Sequence, residues 1–203
     1  ASAYLINWSD IQQNVALVNC GFQFTSNLGT LRSTGFDLQA EYHPTDHISV
    51  GGSYAYTDAR YTETAYATPE AAANALFPVV SDGDYSNGSP WTLTLFAQVN
   101  FPVAAHRGYA RADYQYGAAL DKVTPGQNPA NGGSPTTVFN VPANAYTSVR
   151  TGVSLDRFDV SLFAQNLFNS QPQVLDGIPS NSPLYQVYTW RPRTIGLTAT
   201  FNY

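Results

Sequence analysis

Charged side chains recur at alternate positions in several stretches of this 203-residue chain. Arg111 and Asp113 lie two residues apart, Arg150 occupies a similar place in a later stretch, and Asp37 and Glu41 share an earlier one. Residues two or four apart on an extended strand point to the same face, so such charges can be presented together to a solute. The alternative is local pairing, of Arg111 with Asp113 or with a cross-strand neighbour.

Aromatic side chains in irregular, Gly- and Pro-rich segments form a second set of candidates. Loops carried on a rigid scaffold often perform recognition, and these rings can grip a solute. They can equally pack loop against loop. The set comprises Tyr66, Phe77, Tyr85, Tyr185, Tyr188 and Trp190.

The sequence offers no catalytic constellation. A metal site requires convergent histidines with a carboxylate, whereas His43, His47 and His106 flank predicted turns, where polar residues are common. No G-x-S-x-G elbow and no Gly-rich phosphate loop are present. We therefore predict no enzymatic activity, no metal site and no cofactor.

Composition narrows the class of protein. Charged residues make up 11% of the chain, against about 25% in soluble domains, while aromatic residues make up 14%. The net charge of -5 argues against a nucleic-acid partner, because phosphate binding needs clustered Lys and Arg. No stretch approaches the ~18 apolar residues of a transmembrane helix. The single cysteine, Cys20, is predicted to be a free thiol or to pair outside this sequence.

Alternation of apolar and polar residues, the strand pattern, dominates the chain. About eight long strands are predicted, most of about 9 to 15 residues against a usual length of about 5 to 6. In residues 91–101 only Phe96 breaks the alternation, and near the start Tyr4, Ile6 and Trp8 are read as an apolar face. The stretches are 4–8, 35–42, 48–57, 91–101, 109–117, 148–155, 159–165 and 194–203.

The predicted connections alternate strictly between short and long. The short ones lie at 44–46, 102–107 and 156–157, and the long ones at 12–27, 62–89, 121–145 and 170–191. Successive antiparallel strands place alternate connections at opposite ends, so one end of the sheet carries all the long loops. A short helix is predicted in the second long loop, capped by Thr68, with Pro69 at its first position and Pro78 as its stop.

The two faces distinguish a membrane barrel from a soluble sandwich. The polar face consists of Thr, Ser, Gly, Gln and Asn with few charges, which suits a wet lumen better than a protein surface in bulk water. Strands of this length, tilted by about 45°, span a hydrocarbon core. Aromatic residues near strand ends suit interfacial girdles, namely Trp8, Tyr42, Trp91, Phe101 and Tyr203. We predict an all-β, antiparallel, up-and-down transmembrane β-barrel segment.

Four motifs in order resemble TonB-dependent outer-membrane receptors. They are the segment "NLGTLRSTGFDLQAEYHPTDHISVGGSYAYTDARYTE", the strand entry "GSPWTLTLFAQVNF", the element "LFAQNLFNSQ" and the ending "RPRTIGLTATFNY". The resemblance implies that residues 1–203 form the C-terminal part of a barrel of about 22 strands, with the plug domain and the energy-coupling box absent from this sequence. It also implies that Phe201 and Tyr203 form the C-terminal signal for the barrel-assembly machinery, with an interfacial anchor as the alternative.

The resemblance implies a function in the outer membrane of a Gram-negative bacterium. External loops and plug would bind a scarce solute, and TonB would pull the coupling box to open a path through the lumen. The implied partners are outer-membrane lipid, the plug, TonB and a small solute, which is a siderophore–iron complex, cobalamin or an oligosaccharide. Arg111, Asp113 and Arg150 would contact plug or solute. The alternatives are a self-contained small barrel acting as adhesin, anchor or pore, and a soluble all-β glycan-binding module.

Overall fold

A computed structural model of the chain describes residues 1–17, 22–74, 76–86, 88–132, 142–177 and 186–201. Three residues singled out by the sequence, Cys20, Tyr185 and Tyr203, lie outside these ranges. The elements are β1 (Ser2–Ser9), β2 (Gln12–Leu17), β3 (Phe22–Asn27), β4 (Thr30–Thr45), β5 (Ile48–Tyr61), α1 (Pro69–Ala73), β6 (Trp91–Val103), β7 (His106–Gly117), β8 (Asn144–Ser154), β9 (Phe158–Gln165), β10 (Gln173–Gly177), β11 (Gln186–Thr189) and β12 (Thr194–Phe201).

Eight strands form one antiparallel sheet in the order β1-β4-β5-β6-β7-β8-β9-β12. Each neighbouring pair in this sheet is antiparallel, as an up-and-down chain requires. Turns of two or three residues join β4 to β5, β6 to β7 and β8 to β9, and long connections join the others. The predicted strand number, and the separation of short turns from long loops, are confirmed.

Two of the long connections contain strands that the sequence pattern did not predict. β2 pairs with β3, and β10 pairs with β11, as separate two-stranded sheets. Both hairpins interrupt the path from one strand of the main sheet to the next. The first and fourth long loops are therefore built on hairpins rather than on irregular chain.

The main sheet is open. Within the described residues, β1 and β12 are its two edges and do not pair with each other. A self-contained eight-stranded barrel requires that pairing, so this alternative is not supported. An open antiparallel sheet of eight long strands is the form expected of part of a larger barrel.

The register gives the sheet one apolar and one polar face. Leu95 of β6 faces Tyr114 of β7, and Leu162 of β9 faces Leu197 of β12. On the opposite side Gln98 faces Arg111, which faces Arg150. We call these two sides the apolar face and the polar face.

Nothing among the described residues packs over the apolar face. Leu95, Leu162, Ile195 and Leu197 are exposed by 47%, 52%, 66% and 67%. A soluble β-sandwich buries such a face against a second sheet, so this alternative is also not supported. None of the described helices is long and apolar enough to cross a membrane.

Aromatic rings border the apolar face at both ends. A row near the long loops crosses four strands. Phe36 contacts both Tyr56 and Tyr54, Tyr54 contacts Trp91, and Trp91 contacts Tyr116, with ring centroids 4.9 to 5.8 Å apart. At the short-turn end the rings of Phe158 and Phe201 are 5.0 Å apart. We call the first row the upper aromatic row.

The spacing of these borders matches a membrane. Along β6, Trp91 and Phe101 are separated by ten residues, which is about 33 Å at about 3.3 Å per residue. A strand tilt of about 40° reduces this to a height of about 25 Å, the height of the apolar band on outer-membrane barrels. The apolar face therefore has the dimensions of a bilayer's hydrocarbon core.

The prediction for the first strand is wrong in one respect. Tyr4 faces Gly35 and Ile6 faces Ser33, so these residues and Trp8 lie on the polar face. The Tyr4 hydroxyl is 2.6 Å from the Thr57 hydroxyl, a polar-face group. The physical reason is that Leu5 and Ile6 are both apolar, so alternation alone could not choose the face. Trp8 is thus not part of a lipid-side girdle.

The predicted loop helix is confirmed, although it is shorter than expected. In α1 the Thr68 hydroxyl accepts a hydrogen bond from the Ala71 amide at 3.1 Å, and Pro69 occupies the first turn. The helix ends at Ala73, and its C-cap Asn74 donates a hydrogen bond from its backbone amide to the Glu70 carbonyl at 3.0 Å. It therefore stops before Pro78.

The hydrophobic core that the described chain does possess lies among the long loops. Ile11, Tyr61 and Val80 are buried together, with Leu31 and Ala65 packed against them. The amide of Gln13 donates to the Tyr61 hydroxyl at 2.8 Å. This cluster joins the first and second long loops above β4 and β5.

The two faces predict opposite responses to a new charge at the same depth. In the full-length protein, Leu95→Arg should lower the free energy of unfolding by about 2 to 4 kcal/mol, because the guanidinium would enter hydrocarbon. Gln115 lies at nearly the same depth, next to Tyr114, which is the cross-strand neighbour of Leu95, but its side chain is on the polar face. Gln115→Arg should therefore change the free energy of unfolding by no more than about 0.5 kcal/mol. Urea unfolding in lipid vesicles measures both. Equal losses would contradict the assignment of the faces.

Candidate functional site

Three of the charged residues singled out by the sequence, Arg111, Asp113 and Arg150, share one region of the polar face. Arg111 of β7 lies directly opposite Arg150 of β8, so their Cβ atoms are about 5 Å apart. Asp113 lies two residues along β7, and its carboxylate accepts three hydrogen bonds from Arg111 at 2.7 to 3.0 Å. The predicted local pairing of Arg111 with Asp113 is therefore present.

Both guanidinium groups stack on phenylalanine rings of the same face. Arg111 lies over Phe96, with its Cζ atom 4.4 Å from the ring centroid, and Arg150 lies over Phe163 at 5.6 Å. A guanidinium on an aromatic ring keeps its edge of N–H donors free for an anion. Phe96, the one break in the alternation of β6, thus has a defined role as a platform.

Glycines in the neighbouring strands make room for these rings. A methyl group on Gly51 would come within 2.6 Å of the Phe96 ring, and one on Gly196 within 2.5 Å of the Phe163 ring. Each ring therefore lies flat across the adjacent strand, as aromatic residues do when they cover glycines in a sheet. This arrangement holds the rings, and so the guanidinium groups, close to the wall.

The charge balance of this region is uneven. The Arg111 and Asp113 side chains are 37% and 35% exposed and neutralise each other. Within the described part of the chain, Arg150 has no carboxylate within ion-pairing distance and faces a second cation. The region therefore carries a net positive charge at Arg150, and it is suited to bind a carboxylate, a phosphate or another anionic group.

A buried carboxylate in the long loops forms a second polar centre. Asp84 is 2% exposed. Its two oxygens accept hydrogen bonds from the side-chain amides of Asn128 and Asn131, each at 2.6 Å, and from the Ser81 backbone amide at 2.8 Å. The second and third long loops are thereby joined, and we call this set the Asp84 network.

A further contact strengthens the same connection. The Ser81 hydroxyl donates to the Asn131 side-chain oxygen at 2.5 Å, and the Tyr85 backbone amide donates to the Val123 carbonyl at 2.9 Å. The two loops therefore form one packed unit above the sheet.

Tyr85, in the second long loop, is not brought together with the polar-face arginines. Tyr85 forms an isolated bridge with Arg60, which lies eleven residues along β5 from Ser49, the residue level with Gln98 and Arg111. That separation is about 36 Å along the strand. Tyr66 is half-buried beside the Ala65–Val80 bridge.

Other predicted loop aromatics have individual positions. The Trp190 ring packs on Tyr146, a polar-face residue of β8, with centroids 4.5 Å apart. Phe77 is exposed and lies against Gly132 of the third loop. Trp190 therefore packs against the sheet, while Phe77 remains exposed beside the third loop.

The "LFAQNLFNSQ" motif has a positional role. Asn166 is almost fully buried and has a left-handed backbone, with φ of 49°. Its side-chain amide donates to the carbonyls of Ser170 and Arg191 at 2.8 Å each, and its side-chain oxygen accepts from the Ser170 amide at 2.8 Å. This asparagine therefore ties the end of β9 to the entry of β12.

The last strand is regular to its described end. Phe201 lies opposite Phe158 on the apolar face, while Tyr203 is outside the described residues. Across the described ranges, no group of three or more His, Cys, Asp and Glu side chains converges. His43 pairs with Glu41 at 3.4 Å on an exposed part of β4.

A family model described as "TonB dependent receptor-like, beta-barrel" matches residues 1–167. A search of the curated proteins finds no match.

Solved structures share the fold over almost the whole chain. The ferric yersiniabactin uptake receptor FyuA from Yersinia pestis superposes with a TM-score of 0.72 at 13% identity, covering 99% of this chain and 27% of the receptor. The copper transporter OprC superposes with a TM-score of 0.68 at 12% identity, covering 98% of this chain and 28% of the transporter. The ferric-catecholate import receptor Fiu from E. coli K12 superposes with a TM-score of 0.63 at 18% identity, covering 98% of this chain and 24% of the receptor. The chain spans about a quarter of the length of these structures.

The charge balance on the polar face predicts coupling between Asp113 and Arg150. Asp113→Asn should destabilise the protein by at most about 1 kcal/mol, because the ion pair is partly exposed, and it leaves two facing cations. Adding Arg150→Gln should recover part of that loss, whereas Arg150→Gln alone should have little effect. Urea unfolding midpoints of the wild type, the two single variants and the double variant, measured at low salt, give the coupling energy. If the two single changes in stability simply add in the double variant, the electrostatic coupling is contradicted.

The Asp84 network predicts a local effect of one buried carboxylate. Asp84→Ala removes the acceptor of two buried amides, at a cost of about 1 to 3 kcal/mol, so backbone amides in 124–132 should exchange hydrogen about tenfold faster or more. The matched control is Asp82→Ala, an exposed residue of the same turn whose side chain makes no contact in the network. Equal exchange in the two variants would show that the network does not join the loops.

Proposed function

The chain belongs to the family of TonB-dependent receptor-like β-barrels, and we propose on that premise that it forms barrel wall and external loops of a receptor for active uptake of a scarce solute. It is located in the outer membrane of a Gram-negative bacterium. The observation that carries the proposal is the sheet itself. Its exposed apolar face has the height of a membrane, and its polar face carries charges on a hydroxyl- and glycine-rich wall.

We propose a metal complex, such as a siderophore–iron complex, as the solute. Support comes from the structural relatives, since two are named as ferric siderophore or ferric-catecholate receptors and one as a copper transporter. Such complexes are commonly anionic, and the uncompensated cation at Arg150 suits an anionic group. Cobalamin and oligosaccharides are the other solute classes that the family transports.

The mechanism divides the work between fixed and moving parts. The wall, stiffened by eight hydrogen-bonded strands, is the fixed part, and the joined second and third loops present a rigid outer surface. The moving part is a plug domain, which TonB displaces from within the barrel. In this scheme the chain is a transporter component rather than an enzyme.

We assign the polar-face arginines to contact with the plug or the passing solute. Arg111 is already neutralised by Asp113 and stacked on Phe96, so its geometry is set before any partner arrives. Arg150 is stacked on Phe163 but lacks an ionic partner in the described chain. A carboxylate of the plug, or an anionic group of the solute, would complete its coordination.

Uptake measurements test the proposal. The full-length gene, expressed in a Gram-negative strain without its own siderophore receptors, should support uptake of at least one ⁵⁵Fe-labelled siderophore. Uptake should stop when TonB is removed or the proton gradient is collapsed. Arg150→Gln should reduce uptake several-fold, while Arg157→Gln, an exposed arginine of a short turn, should not. Passive entry of unrelated small solutes, independent of TonB, would instead indicate a pore.

A further inference from the structure

A group of cations lies on the apolar side of the sheet, just above the upper aromatic row. Arg32 of β4 is directly opposite Arg60 of β5. Both share a face with Phe36 and Tyr56, which lie four residues nearer the middle of their strands. The surface therefore changes from aromatic to charged within about 13 Å along each strand.

A third cation approaches from the third long loop. The Arg60 guanidinium lies 5.2 Å from the centre of the Tyr85 ring, and the Lys122 ammonium lies 5.9 Å from the same ring. Tyr85 is held against β5 by its bridge to Arg60. Arg60 is thus related to Arg32 across the strands and to Lys122 through the Tyr85 ring. We call these three residues the upper cation group.

The upper cation group has more positive than negative charge. Among the described residues, Asp58 is the only carboxylate that pairs with any of the three, and its partner is Arg60. Glu63, at the start of the second loop, accepts a hydrogen bond from Thr30 at 2.9 Å instead. Arg32 donates through Nε to the neutral side chain of Asn7 at 3.2 Å. Its other N–H groups form no ion pair with a carboxylate in the described part of the chain.

Two members of the group, Arg32 and Arg60, also frame a small groove. Arg32, Thr34, Asp58, Arg60 and Thr62 line a cavity of about 310 Å³. The Thr34 hydroxyl and the Nη groups of Arg32 provide hydrogen-bond donors, whereas the Thr62 hydroxyl already donates to the Thr30 carbonyl at 3.3 Å and Arg60 donates to Asp58. A guanidinium binds phosphate through several N–H groups at once. The groove is open toward the side of the protein that meets lipid.

The position of the group favours a lipid headgroup as its ligand. Aromatic rows mark the boundary between hydrocarbon and headgroups. Arg32 and Arg60 lie four residues beyond that row along their strands, and therefore at the level of lipid headgroups. Basic residues at this level attract anionic headgroups, by an amount equivalent to about fivefold in affinity per cation. We propose that the upper cation group is a binding site for the phosphorylated headgroup of an outer-leaflet lipid.

This site is separate from solute transport. It lies on the apolar side of the sheet, whereas Arg111 and Arg150 lie on the polar side and about 36 Å lower along the strands. A bound lipid would contact β4, β5 and the joined second and third loops at once. It would therefore anchor the rigid loop unit to the membrane surface.

The test uses the full-length receptor in detergent and native mass spectrometry, with bis-phosphorylated lipid A and its dephosphorylated form as probes. The wild-type protein should bind the phosphorylated probe at least about tenfold more tightly. Arg32→Gln combined with Lys122→Gln, which keeps the Asp58–Arg60 pair, should weaken that binding about 25-fold. The control Arg157→Gln, at the other end of the sheet, should bind as the wild type does.

A second variant tests the site without removing any cation, in case the double-Gln variant fails to fold. Thr34→Glu keeps all three cations and places a carboxylate in the groove, so it should also lose preference for the phosphorylated probe. Heat-dependent gel mobility shows whether each variant is folded. Equal binding of both probes by the wild type, or unchanged binding by folded double-Gln or Thr34→Glu variants, would overturn the proposal.

Discussion

The structure depends on one constraint, namely that a broad apolar face must leave contact with water although no other part of the described chain covers it. Leu95, Leu162 and Leu197 remain about half to two-thirds exposed. At about 25 cal/mol per Å² of apolar surface, a face of this size in water would favour aggregation. A lipid bilayer removes it from water without a second protein layer, and the aromatic borders about 25 Å apart fit that solvent.

Because lipid covers one face, the other is free to be polar, and stability has to come from different sources in different places. In the sheet it comes from cross-strand hydrogen bonds and from rings laid over glycines, as with Phe96 over Gly51. In the loops it comes from a small core around Val80 and from the buried Asp84 network. The loops can therefore be rigid in water while the wall is rigid in lipid, and charged groups on the polar face need not be buried.

Local features were predictable from the sequence, and those that depend on distant segments were not. The pairing of Arg111 with Asp113 follows from a spacing of two residues on one strand, and the cap of α1 follows from Thr68 and Pro69. The opposition of Arg111 and Arg150 requires the register of β7 against β8, which a long loop separates. The Asp84 network joins residues more than forty positions apart, and the side chains involved are those of ordinary surface turns. The prediction is wrong about the face on which Tyr4, Ile6 and Trp8 lie, because two consecutive apolar residues, Leu5 and Ile6, leave that face undetermined.

The most direct test of the central claim is a scan of collision accessibility along β6. Spin labels would be placed singly at positions 91 to 101 of the full-length protein in lipid bilayers, with Cys20 replaced by serine. Odd-numbered positions should be accessible to oxygen, which concentrates in lipid, and even-numbered positions to a water-soluble nickel complex. If the odd positions are shielded from both reagents, as in a protein core, another layer of protein covers the apolar face and the account is wrong.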